Sequence, residues 1–102
     1  MFTTFVGIDI SKNSFDIAVV NSYNSVILKN RKFPMTQDGF LQFLNILSKY
    51  DGLTTLIAME ATGCYHFNLL DFLLSYSTTR QYSIIILQQL KGRHDECIGL
   101  DF

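Results

Sequence analysis

The chain has 102 residues, room for one small domain. Apolar residues make up 48% of it, with nine Phe and five Tyr, which excludes a disordered segment and points to a packed, strand-containing core. A formal net charge of −1 excludes a basic field over the whole surface, so any contact with nucleic acid would have to come from local clusters.

Phe5 to Ile10 is predicted as a buried strand, with Asp9 at the end of its apolar run Phe5-Val6-Gly7-Ile8. Phe15 to Val20 is a second strand, rich in β-branched residues. Asn21 to Asn24 is a turn by composition. Val26 to Phe33 is a third strand that passes from apolar Val26 and Leu28 to a basic end, as an edge strand does. These three form an antiparallel meander.

Pro34 ends the meander, and Thr36 is a suitable helix N-cap, with Asp38 in the first turn. Phe40, Phe43, Leu44 and Leu47 then recur at helical spacing, and Asp51-Gly52 is expected to end that helix. Leu53 to Met59 is a fourth strand running into Glu60. Tyr65, Leu69, Leu73 and Tyr76 mark a second helix, expected to break at Ser77-Thr78-Thr79. Tyr82 to Leu87 is a last strand. The order βββαβαβ is an α/β fold with a mixed sheet, in which helical crossovers add the later strands in parallel. The expected domain is residues 1–87, followed by a divergent or loosely structured tail, 88–102.

Cys64 and Cys97 lack metal-type spacing, and the N-terminus lacks a basic leader, so reduced thiols and a cytoplasmic location are expected. No apolar run approaches the roughly 20 residues of a membrane span, so no membrane partner is expected.

Two strands run into acids: Asp9 on the first and Glu60 on the fourth. If those strands are neighbours and parallel, the two carboxylates lie side by side. They would repel unless protonated or bridged by a cation. Magnesium suits such a pair, since it takes one or two carboxylates with waters and substrate phosphates. Each acid taken alone also reads as an ordinary turn or solvated residue. Asp16 reads as an exposed hairpin residue rather than a third ligand. Lys12, Thr62, Gly63, Tyr65 and His66 are candidate nucleic-acid contacts. For them the alternatives are a solvated hairpin for Lys12, helix capping for Thr62, and packing or plain surface for Tyr65 and His66.

Three strings carry a resemblance: Gly7-Ile8-Asp9-Ile10-Ser11-Lys12, Phe15-Asp16-Ile17-Ala18-Val19, and Met59-Glu60-Ala61-Thr62-Gly63-Cys64-Tyr65-His66. Together they resemble the start of the DEDD transposases of bacterial insertion sequences, RuvC-like recombinases that a structured RNA guides in some members. The resemblance runs in order over nearly the whole chain. It implies a ribonuclease H-like, RuvC-type fold, with Asp9 and Glu60 as the first two acids of the DEDD set. Both would hold magnesium, in a two-metal site in the intact family, for cleavage and transfer of DNA strands. It implies DNA as partner, and it leaves room for a guide RNA, a homo-oligomer or an intact transposase. The family's other two acids have no matching motif here, and Asp95, Glu96 and Asp101 are the only late acids. A C-terminally incomplete fragment, inactive alone, is therefore expected.

Two other classes stay open. One is a non-catalytic module that binds nucleic acid or a transposase through Lys29, Arg31 and Lys32, or through Lys91, Arg93 and His94. The other is an ATPase of the actin or sugar-kinase type, disfavoured because Ile10-Ser11-Lys12 offers no glycine for a close approach to phosphate.

Overall fold

Burial alternates along the first strand, Thr4–Ile10 (β1): Val6, Ile8 and Ile10 are buried, while Gly7 and Asp9 face the other way. That period of two sorts every central strand of the sheet into a covered face and an open one. The computed structural model describes residues 1–61 and 65–88. β1 is followed by Ser14–Asn21 (β2), Val26–Pro34 (β3), helix Gln37–Leu47 (α1), a short 3-10 turn at Gly52–Thr54, Thr55–Ala61 (β4), helix His66–Arg80 (α2) and Ser83–Gln88 (β5). The protein is thus an α/β fold in the order βββαβαβ.

The five strands form one mixed sheet in the order β3-β2-β1-β4-β5. β1, β2 and β3 pair antiparallel, whereas β4 pairs parallel to β1 and to β5. β1 and β4 are therefore adjacent and parallel, the condition on which the side-by-side placement of Asp9 and Glu60 depends.

Both helices contribute to a single core on one face. Phe40, Phe43 and Leu47 of α1, with Leu69 and Leu73 of α2, are buried in the cluster that holds Val6, Phe15, Ile17 and Ile57. Phe15 is its aromatic centre, 5.5 Å from both Phe33 and Phe43, and Phe40 meets Phe72 across the two helices at 5.1 Å. Thr36 caps α1 by accepting a hydrogen bond from the Gly39 amide at 3.1 Å. Gly39 itself sits against β3: a Cβ there would lie 2.0 Å from the Pro34 carbonyl oxygen. The Tyr82 hydroxyl donates to the Leu47 carbonyl at 2.6 Å and lies 3.2 Å from that of Tyr50. It ties the entry of β5 to the end of α1.

Two element ends differ from expectation. α1 stops at Leu47, with Ser48 as its cap, and Asp51 instead opens the 3-10 turn by accepting from the Leu53 amide. α2 runs through Ser77-Thr78-Thr79 to Arg80. Ser and Thr carry only a modest helix penalty. The stop comes at Gln81, whose φ of 62° is the left-handed conformation that commonly follows a helix end. Gln88 closes β5, and the rest of the expected tail lies outside the described residues, as do Thr62, Gly63, Asp95, Glu96 and Asp101.

The opposite face of the sheet carries Phe5, Ala18, Val20, Leu56 and Ala58, which line an apolar depression of about 260 Å³. Ile85 and Leu87 are exposed on β5. Among the described residues no helix is long and apolar enough to cross a membrane.

Candidate active site

The sheet register builds a row of charge across the open face. Lys32 of β3 pairs with Asp16 of β2, and Asp16 pairs with Asp9 of β1. The register that sets Ile8 opposite Met59 carries Asp9 to the level of Glu60, and Glu60 pairs with Leu87 of β5. The row thus reads Lys32, Asp16, Asp9, Glu60, Leu87. Strands lie about 4.8 Å apart, so its carboxylates are close neighbours.

Asp9, Asp16 and Glu60 line one shallow depression of about 420 Å³, with Ala18, Asn30 and Ala58 around them. Gly7, Ala18 and Ala58, one pleat along the same face, are small. Asp9 and Glu60 are exposed. Asp16 is half-buried, and its Oδ1 is shut off from solvent. That oxygen lies 3.3 Å from the Lys32 ammonium but makes no hydrogen bond. Like charges directly opposite each other across a ladder destabilise a sheet. A cation on the row would reverse that penalty.

The donor chemistry fits magnesium. Asp9 and Glu60 are hard oxygen donors on adjacent strands, lining the same open depression. Among the described residues no three His, Cys, Asp or Glu side chains gather closely enough to hold one ion together. The three acids therefore do not converge on one point, and Asp16 on β2 lies beyond Asp9 from Glu60 on β4.

What sequence reasoning missed is the position of Asp16, directly opposite Asp9 and half-buried rather than exposed. The signal was available in the hairpin: with Ile10 opposite Phe15, counting one residue outward on each strand sets Asp9 opposite Asp16. A second depression of about 420 Å³ lies between the start of α1 and α2, with Asp71 as its ionisable lining residue. It is remote from the row.

The remaining candidates are scattered. Lys12 is exposed at the tip of the β1–β2 hairpin. Tyr65 is exposed in the turn before α2. His66 is 6% exposed, stacks 4.2 Å from the Phe67 ring and leaves Nδ1 without a hydrogen bond, so its packing presents little surface to a base. Burial holds its pKa below the usual histidine value. On β3, Lys29, Arg31 and Lys32 are exposed; Lys32 pairs with Asp16, and the Arg31 guanidinium lies 5.6 Å over the Phe33 ring.

The model of the IS110-type DEDD transposase family matches residues 6–97. The chain belongs to this transposase family. The matched span takes in the whole charged row, Asp9, Asp16, Lys32 and Glu60, and both helices. No protein of curated function matches the transposase-family chain. Among solved structures it is similar to the type II variant of the Aquifex aeolicus Ppx/GppA phosphatase, at 14% identity and a TM-score of 0.47, covering 85% of this chain and 36% of that one. It is also similar to an exopolyphosphatase from Cytophaga hutchinsonii, at 10% identity and 0.44, covering 83% and 34%. A glucokinase from an Antarctic psychrotroph gives 14% identity and 0.49, covering 86% and 33%. The chain spans about a third of the length of these structures.

Proposed function

We propose that this chain supplies Asp9 and Glu60 to a magnesium-dependent site for DNA strand cleavage and transfer, on a ribonuclease H-like, RuvC-type fold. The observation that carries the reading is the row itself: two exposed carboxylates on adjacent parallel strands, with a third acid beside them, in a chain of a transposase family. Acids in one row repel one another, and a bound cation would relieve the part of that repulsion that Lys32 does not.

Asp9 and Glu60 would hold the metal through their carboxylate oxygens. Magnesium bound there would supply charge stabilisation to the attacking and leaving oxygens of a phosphodiester. The shallow depression leaves the carboxylates accessible to a backbone phosphate, and the absence of bulky neighbours at Gly7, Ala18 and Ala58 lets a duplex edge or a single strand approach. DNA is the partner on this reading. Guide RNA and further transposase subunits are partners in the same sense, with Lys12 and Tyr65 the exposed residues offered for such contacts. Two carboxylates bind a cation weakly, so strand cleavage by this chain alone is expected to be slow or absent.

The non-catalytic module is the competing reading: Lys29, Arg31 and Lys32 are exposed on β3, although Lys32 lies beside Asp16 and Arg31 lies over the Phe33 ring. DNA retention and nicking, measured with and without magnesium at low salt, separate the two. The metal reading expects magnesium to strengthen DNA retention in wild type and not in Asp9→Asn or Glu60→Gln. Salt-dependent binding that ignores both magnesium and these substitutions would establish the module instead.

A further inference from the structure

Asp16 is an unusual residue for its position. It faces Asp9 directly across an antiparallel ladder, where a like charge is unfavourable. Its Oδ1 is withdrawn from water yet makes no hydrogen bond, and its one described charge contact is Lys32 at 3.3 Å. Lys32 is 67% exposed and Asp16 32%, so solvent screens the pair and its own contribution to stability is small. A hydroxyl or amide at this position would spare the repulsion with Asp9. The screened cross-strand pair with Lys32 favours a carboxylate here only slightly and the repulsion with Asp9 opposes it, so the sheet itself gains little from Asp16.

We infer that the Asp16–Lys32 pair sets the cation affinity of the Asp9–Glu60 site. Asp16 is a positioning residue: it adds a third negative charge one strand from the metal without ligating it. Lys32 anchors that charge and reduces its reach. The inference rests on the metal reading above and adds to it the element that tunes it. A unit charge one strand spacing beyond the ligands, in surroundings close to water in dielectric, is expected to change divalent-ion affinity roughly fivefold.

The two members of the pair must then act in opposite directions. An ordinary surface salt bridge behaves differently, because removing either partner loses the same interaction. The test is manganese and magnesium titration by calorimetry of the whole chain as wild type, Asp16→Asn and Lys32→Met, with melting in EDTA alongside. Asp16→Asn is expected to weaken cation binding about fivefold and to melt in EDTA at or above the wild-type temperature. Lys32→Met is expected to tighten binding by a similar factor and to melt lower. Lowered melting in both variants with unchanged cation affinity would overturn the inference and leave a structural ion pair. Equal binding by wild type and Asp9→Asn would fail at the earlier step: it would remove the Asp9–Glu60 site, and this inference with it.

Discussion

Asp9 on β1 stands directly opposite Asp16 on β2, so two carboxylates share one rung of an antiparallel ladder. The rung continues to Lys32 on one side and to the level of Glu60 on the other. Three acids in one row oppose one another electrostatically, and Lys32 at the end of the row offsets part of that cost. The covered face compensates, with aromatic and branched side chains packed on both helices.

The close approach of Gly39 to β3 gives one check of the packing. Alanine is the better helix former, so propensity alone favours Gly39→Ala. A Cβ 2.0 Å from the Pro34 carbonyl oxygen forces backbone apart, and the net effect is expected to be a loss of about 1–3 kcal/mol. Urea denaturation measures it, and a stabilised variant would show that α1 does not sit against β3 as described.

The buried hydroxyl of Tyr82 gives a second. Tyr82→Phe leaves the ring packed but removes the donor to the Leu47 carbonyl. A loss of about 1–2 kcal/mol is expected, with an unchanged dependence on denaturant. Faster amide exchange at the end of α1 should accompany it.

Protonation of His66 gives a third. Burial lowers its folded-state pKa below the ordinary value of 6.5, so the unfolded chain takes up the proton first as pH falls. The stabilisation from keeping the ring neutral is complete above about pH 6.5 and is lost as pH falls from there through the folded pKa. Melting temperatures across pH 5 to 8 should show this fall in wild type and a shallower one in His66→Phe. Parallel profiles would mean that the ring is solvated in the folded protein.

Most of the architecture was legible because it follows local rules. Strict alternation in β1 and β2, the cap at Thr36 and the helical spacing of Phe40, Phe43 and Leu47 each have a short-range cause. Helix ends were less legible, since α1 ends at Ser48 with helical backbone angles and α2 is followed by Gln81 in a left-handed conformation that glycine usually supplies. The placement of Asp9 beside Glu60 was legible only as a condition, that the first and fourth strands be parallel neighbours, and the sheet order meets that condition. The place of Asp16 was not, since its role depends on pairing register rather than composition: read alone, an acid just after a hairpin is a solvated residue. The same register explains why Lys32 belongs to the row while Arg31, one residue before it, stacks on Phe33 over the covered face.

The most direct measurement is an NMR-monitored magnesium titration of wild type, Asp9→Asn and Glu60→Gln. The account predicts saturable shifts in wild type confined to the amides around Asp9 and Glu60, and their loss in both variants. An absence of saturable shifts in wild type, or the same shifts in all three proteins, would contradict it.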